Sequence, residues 1–385
     1  MEYGLRDIHL TRLSLYQFKC YPEAVLGFSQ PVVCFLGHNG AGKTNLLDAI
    51  HYLSFSKSYF HSVDAQAILS GKEECSISGE FIRGGQPEVI TCAWKKGQRK
   101  VLRRNHKEYD KLARHIGLLP AVMITPYDME LILGGSEERR RFVDSTLSQV
   151  SAPYLDHLIQ YNQALQQRNA LLKQLGRSGS FDPEVLEPWD HRLALHGEAI
   201  FTQRSAFFRD FLPLFIPVYR ELSGDRETPS ITYLSDQQQG PLSDQLREAL
   251  PRDRVLERTT RGAHKDELEL ELDGFALRRF GSQGQQKSFL ISLKLAQLLY
   301  LRDQTGMNPM LMLDDLYDKL DESRVHNLLR WIHAHHRGQL FITDTHLHRI
   351  PALLHSLGIS HEAWEIDQAA CRRMDDSAAG AMSQN

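Results

Sequence analysis

Gly37-His38-Asn39-Gly40-Ala41-Gly42-Lys43-Thr44 fits the phosphate-binding loop pattern GxxxxGK[ST] at every fixed position. An apolar run, Val32-Val33-Cys34-Phe35-Leu36, precedes it, and a helix-like stretch, Asn45 to Leu53, follows. The motif needs this strand–loop–helix setting. Its glycines let backbone N–H groups turn inward around phosphate oxygens. Lys43 brings a point charge to the terminal phosphates, and the Thr44 hydroxyl is placed to ligate Mg²⁺. The helix starting at Lys43 adds the positive end of its dipole. Residues Gly37 to Asn45 are therefore expected to hold a nucleoside triphosphate.

The 385 residues, with 42% hydrophobic and 24% charged side chains, describe a globular chain able to bury a sizeable core. The formal net charge is −3, so any hold on nucleic acid must come from local patches. The five cysteines (Cys20, Cys34, Cys75, Cys92, Cys371) form no CxxC pair, which fits a reducing compartment and argues against structural zinc. Met1 to Thr11 is too polar for a signal peptide, and no apolar run approaches the ~18 residues of a membrane span. The expected location is cytoplasmic.

Ile8 to Phe18 reads as a strand, residues 71 to 104 as short strands, and Ala121 to Ile124 as a buried strand closed by Pro126. From about Ser136 to Pro217 the pattern is helical, broken by a loop at Gly176-Arg177-Ser178-Gly179-Ser180. Ser243 to Leu250 reads as a short helix. Leu268, Leu270 and Leu272 alternate with acidic residues, Asp273-Gly274 makes a hairpin turn, and Phe275 to Phe280 reads as the return strand. An apolar helix from Gly284 to Leu301 follows, then buried strands at Met310 to Leu313 and Leu340 to Thr343. The expected organisation is an α/β domain split by a helical insertion. Residues 1–125 and 255–366 form the α/β lobe, 126–254 the helical lobe, and 367–385 a disordered tail.

Met310-Leu311-Met312-Leu313-Asp314-Asp315 is an apolar strand ending in two carboxylates, the form of a Walker B motif. Asp314 would hold Mg²⁺ through water, and Asp315 would orient or deprotonate the attacking water. Ser282-Gln283-Gly284-Gln285, just before the apolar helix, resembles the signature loop of ABC-type ATPases. In that class the serine and the helix N-terminus bind the γ-phosphate held by the opposite subunit. Asp318, Leu320 and Asp321 fall where the class has its D-loop, and His346 where it has its switch histidine. These matches give the fold class: an ABC-type P-loop ATPase head, split in sequence, with an inserted and mainly helical second lobe.

Nine Lys or Arg residues and two acidic ones lie between Lys95 and Arg114. Lys95, Lys96, Arg99, Lys100, Arg103 and Arg104 surround an expected hairpin and are candidate phosphate contacts. Arg139 and Arg140, within Arg139-Arg140-Arg141, form a second candidate. Three successive arginines on a helix cannot all face one strand of DNA, so at least one is expected to be structural. No base-reading motif is present, which points to recognition of backbone and shape.

Across most of its length the chain resembles the RecF family of ABC/SMC-type recombination-mediator ATPases. The resemblance rests on Leu13 to Tyr21, Gly37 to Ile50, Thr125 to Asp144, Thr260 to Asp266 (TRGAHKD), Ser282 to Lys287 and Leu313 to Asp321. The chain departs from the family pattern at Ala263, where proline is usual, and at Lys287, where arginine is common. The resemblance implies ATP and Mg²⁺ as ligands and a head-to-tail, ATP-driven homodimer. It also implies DNA bound at gaps or single-strand/duplex junctions, RecR and RecO as partners, RecA as the protein loaded, and slow ATP hydrolysis as reset. Three other readings compete. An SMC head needs a long heptad insertion, which residues 136 to 250 lack. A transporter ATPase fits poorly with the basic run and the Asp-Asp ending. A nuclease needs a further acidic domain, and none follows residue 366.

Overall fold

The computed structural model describes residues 7–178, 183–224, 226–315 and 322–374. The D-loop residues Asp318, Leu320 and Asp321 lie outside the described residues. In chain order the first segment runs β1 (Ile8–Phe18), β2 (Tyr21–Gly27), β3 (Val32–Leu36), α1 (Lys43–Phe55), β4 (Glu74–Arg83), β5 (Gln86–Lys95), β6 (Val101–Arg104), β7 (Lys107–Glu108) and β8 (Ala121–Ile124). The middle runs α2 (Glu130–Leu133), α3 (Ser136–Val150), α4 (Ala152–Ser178), α5 (Glu187–Ser223), β9 (Pro229–Leu234), α6 (Leu242–Leu256), β10 (Glu267–Leu272), β11 (Phe275–Ala276), α7 (Leu277–Phe280) and α8 (Gln283–Thr305). The last segment holds β12 (Met310–Leu313), α9 (Glu322–His335), β13 (Leu340–Asp344), α10 (Arg349–Ser356), β14 (Glu362–Asp367) and β15 (Ala370–Arg373). Among the described residues no helix is long and apolar enough to cross a membrane.

The chain divides into two units, Met1–Asp128 with Gln297–Asn385, and Met129–Ala296. The first contains two six-stranded sheets. One is antiparallel, in the order β2-β1-β4-β5-β6-β7. The other, β15-β14-β3-β13-β12-β8, is parallel from β14 to β8. Strands buried on both faces read as continuous apolar runs, and every residue of β3, β12, β13 and β8 is buried. Phe35 and Phe341 stack at 6.1 Å across β3 and β13, and Phe28 meets both edge-on.

The second unit is a helical hairpin, α4 against α5, beside a small sheet in the order β11-β10-β9. Its division from the first unit differs from the expected one. Residues 255–296, signature loop included, belong with the helices rather than with the α/β lobe. The reason is register: Glu267 to Leu272 pairs antiparallel with Leu234 to Pro229, so the returning chain is bonded into the insertion's own sheet. Asp273 and Gly274 make the expected turn with positive φ (51° and 80°), but the return strand stops at Ala276 and α7 takes over. Helix α4 continues through Gly176 to Ser178, where a break was expected; residues 179–182 are outside the described ones.

The segment expected as a tail after Asp367 is instead structured as far as Met374; residues 375–385 are outside the described ones. Strand β15 folds back on β14 through Gln368 and Ala369, both at positive φ (45° and 66°), a two-residue hairpin turn. The Ala369 N–H donates to the Ala41 carbonyl at 3.1 Å, and Arg373 pairs with Glu362 at 2.8 Å. A Cβ at Gly37 (φ 151°) would collide with the Ile366 carbonyl, so the loop and the hairpin pack backbone to backbone. This hairpin braces the phosphate-binding loop. A chain ending at Asp367 should melt several degrees below one ending at Met374, since each kcal/mol is worth about 2–4 °C in a domain of this size. Equal midpoints in a thermal melt would remove the brace.

Candidate nucleotide and nucleic-acid sites

Strands β3, β13 and β12 are neighbours and parallel, so their C-terminal ends lie side by side. That edge is where open α/β sheets place ligands. The phosphate-binding loop leaves β3 there, and Gly37 N–H donates to the Asp344 carbonyl at 3.2 Å. His38, Asn39 and Gly40 are exposed, whereas Gly37, Ala41, Gly42 and Lys43 are buried, and Thr44 and Asn45 are partly so. Lys43 Nζ bonds the carbonyls of Gly37 (2.8 Å) and His38 (3.0 Å), curling over the loop it would serve. Tyr21 Oη supports the loop from below by donating to the Gly42 carbonyl at 3.0 Å, and Asn45 Nδ2 lies 3.1 Å from Cys20 Sγ.

Asp314 comes to this loop from the end of β12. Thr44 Oγ1 donates to its carboxylate, 3.0 and 3.1 Å from the two oxygens. Thr343 Oγ1, on β13, donates to Asp314 Oδ1 at 2.8 Å and accepts from the Asp315 N–H at 2.8 Å. Thr343 was not among the expected site residues; its only mark in the sequence is a hydroxyl at the end of an apolar strand. A hydroxyl and a carboxylate facing each other beside the loop are the donors a hard, oxygen-seeking cation takes. Thr44 and Asp314 therefore fit Mg²⁺. Asp315 follows with φ 44°, a left-handed turn that aspartate tolerates, and is partly buried. His346 is exposed, two residues past the point where β13 lies beside Leu36. Asp344 is clamped by Arg349, with Nη2–Oδ1 at 2.5 Å.

A second network runs from α1 to the segment after β8. Buried Asp48 accepts from Lys19 Nζ (2.6 Å), Ser58 Oγ (2.7 Å) and the Tyr59 N–H (2.7 Å). The Tyr59 hydroxyl donates to Asp128, which also accepts from the Thr125 N–H at 2.6 Å. The helix that begins at Lys43 is thus tied by side chains to the Pro126 region.

In the second unit, Ser282 and Gln285 form a reciprocal cap at the head of α8. The Ser282 N–H donates to Gln285 Oε1 at 2.6 Å, and the Gln285 N–H donates to Ser282 Oγ at 3.2 Å. Ser282 and Gln283 are exposed, and Gly284 is partly so. The Ser-x-x-Gln spacing thus shapes a rigid helix start while the serine O–H remains able to donate.

The basic residues divide. Lys100 is nearly buried and pairs with Asp64 at 2.8 Å; Arg104 forms a fork with buried Glu88. Lys100 is taken into the fold, a correction to its expected place on a DNA surface, whereas Arg104 is tied to the sheet by Glu88 with its side chain still 40% exposed. Lys95, Lys96, Arg99 and Arg103 are exposed, with Lys96 paired to Glu73 at 3.1 Å. Arg139 is also corrected: it is buried and its Nε donates to Glu267 at 2.8 Å. Arg140 is half-exposed and donates to the Asp266 carbonyl at 2.7 Å.

Residues 9–354 match the family model described as the RecF/RecN/SMC N terminal domain. The chain belongs to the RecF family. A DNA replication and repair protein RecF of Flavobacterium johnsoniae is 44% identical over 93% of this chain and 99% of its own length. Its counterpart in Parabacteroides distasonis is 42% identical over 95% of this chain and all of its own. The solved structure of the recombination mediator protein RecF with ATP, in the RecFOR pathway, superposes with a TM-score of 0.86 at 25% identity. That superposition covers 97% of this chain and 100% of the RecF chain. An Smc head domain from Pyrococcus furiosus, 16% identical, matches at a TM-score of 0.55 over 95% of this chain and 96% of its own, a likeness of fold alone. This is therefore a DNA replication and repair protein of the RecF family with an ABC-type ATPase head.

Burial, reinforced by the neighbouring Asp315, pushes the Asp314 carboxyl up to about 6, against the bonds from Thr343 and Thr44 and the charge of Lys43. The folded state then holds this proton more tightly than the unfolded chain. Stability from this group accordingly falls as pH rises from about 4 to about 6, by up to about 3 kcal/mol. In nucleotide-free and metal-free buffer, Asp314→Asn should raise the melting midpoint at pH 7.5, with the gain shrinking toward pH 4.5. A gain that does not vary with pH would show that the buried charge is not its source.

Proposed function

We propose that this chain binds ATP with Mg²⁺ between Lys43, Thr44 and Asp314, and closes as a head-to-tail homodimer around two nucleotides. Lys43 holds the terminal phosphates, and Thr44 with Asp314 holds the cation, whose chemistry is to neutralise charge on the phosphate oxygens. Asp315 orients the attacking water or takes its proton, and His346 contacts the γ-phosphate. Ser282, with the start of α8, binds the γ-phosphate held by the opposite protomer.

The observation that carries this reading is the signature turn. Ser282 is exposed, locked in its cap by Gln285, and lies in the unit that does not contain the phosphate-binding loop. An anion site of that kind, presented to solvent, suits a ligand brought by a second copy. The dimer then acts as an ATP-gated clamp on gapped or single-strand/duplex-junction DNA. It works with RecR and RecO to help load RecA, and slow hydrolysis resets it. The exposed Lys95, Lys96, Arg99 and Arg103 are available for backbone contacts.

The arrangement predicts complementation. Lys43→Ala and Ser282→Arg should each abolish ATP turnover. Mixed together, they form heterodimers with one intact composite site, built from Lys43 of one protomer and Ser282 of the other. A mixture with measurable turnover, about a quarter of wild type if half the dimers are mixed and each site acts alone, is the expected result. A mixture as inactive as its components would contradict the shared site.

A further inference from the structure

The Thr260–Asp266 turn supplies nothing to the nucleotide site, yet the second unit is built around it. Two buried arginines hold it. Arg204, on α5, donates from Nη1 to Asp266 Oδ2 (2.6 Å) and the Ala263 carbonyl (2.8 Å), and from Nη2 to Asp144 (2.8 Å). Arg168, on α4, pairs with Asp253 at 2.6 Å and Asp190 at 2.5 Å. The other oxygen of Asp253 accepts from the Thr260 N–H (2.9 Å) and hydroxyl (2.6 Å). His264 is pinned between Tyr161 Oη (2.8 Å) and the Thr259 carbonyl (3.1 Å). Gly262 takes φ 119°, and a Cβ there would strike Tyr161 Oη.

Most acidic side chains around this turn are already paired. Asp144, Asp190, Asp253 and Asp266 are engaged by Arg204 and Arg168, Glu267 by Arg139, and Asp236 by Arg261. Among the described residues, Arg258 and Lys265 have no carboxylate within 4 Å, and both are exposed. Arg140 reaches the same place, bonded to the Asp266 carbonyl. The three cations are close enough to disturb one another: burial, then Arg258 and Arg140, hold the Lys265 ammonium below its ordinary range. A rigid turn with two exposed cations that have no carboxylate within 4 Å, and Arg140 beside them, is prepared for an anion, because little ordering remains to be done on binding.

We propose that Lys265 on the Thr260–Asp266 turn, Arg258 just before it and Arg140 of α3 form a phosphodiester-binding site through which the second unit grips the nucleic-acid backbone. The guanidinium forks suit phosphate oxygens, the ammonium adds a point charge, and the turn between them is polar. The inference rests on the DNA reading above and gives it a contact outside the Lys95–Arg104 hairpin.

The test is fluorescence anisotropy of a labelled gapped duplex with ATP–Mg²⁺, across a potassium chloride series. Arg258→Gln combined with Lys265→Gln should weaken binding at least tenfold at low salt. It should also flatten the slope of log K against log salt by about 1.8, the loss of two phosphate contacts. Arg258→Lys combined with Lys265→Arg should retain the wild-type slope, and unchanged melting midpoints would show that both proteins fold. Wild-type affinity and slope in the glutamine variant would overturn the site while leaving the DNA reading intact. Failure of the wild-type protein to bind the duplex at all would overturn both.

Discussion

The bond between the Thr44 hydroxyl and the Asp314 carboxylate joins residues 270 positions apart, and the arrangement of the head turns on it. It exists because β3, β13 and β12 lie parallel in one sheet, so the loop leaving β3 and the carboxylate ending β12 arrive at the same edge. Thr343, on the strand between them, completes the bridge and also holds the Asp315 backbone. Burying a carboxylate is unfavourable unless it is hydrogen-bonded or paired. Two hydroxyls satisfy Asp314 geometrically, and the charge of Lys43 compensates it only in part, so burial dominates its titration. A cation held by Thr44 and Asp314 would relieve that cost, and folding and ligand binding would then draw on the same group.

The second unit solves a different problem with the same chemistry. Its long helices bury Arg168 and Arg204, each matched to aspartates from separate segments. Buried ion pairs contribute little net stability, since desolvation offsets much of the attraction, but removing one partner is costly. Here their effect is positional. They tie α3, α4, α5 and the end of α6 to the turn that closes at Asp266, and they consume its acidic groups. Arg258 and Lys265 are left as surface charge.

Features written as contiguous strings were readable in the sequence: the phosphate-binding loop, the apolar strand ending in Asp314-Asp315, and the alternation in β1 and β10. What escaped depends on partners far along the chain. Nothing near Lys100 announces Asp64, 36 positions earlier, and nothing near Arg139 announces Glu267, 128 positions later. A basic run therefore read as a surface, although Lys100 is nearly buried in its ion pair and Arg104 is held by buried Glu88. The β14–β15 hairpin was missed because its turn uses Gln368 and Ala369 at positive φ, where Asn and Gly are the usual markers. The lobe boundary was misplaced because β10 pairs with β9, a register that no local pattern reveals. Ser282 and Gln285 were visible, but their reciprocal cap emerges only from the bonds they form.

In the proposed cycle, nucleotide brings two copies of this chain together. Sedimentation velocity of the purified protein with and without ATP–Mg²⁺ tests it most directly. The expected result is a shift from monomer to dimer that requires both nucleotide and cation. Saturated nucleotide binding with an unchanged monomer would contradict it.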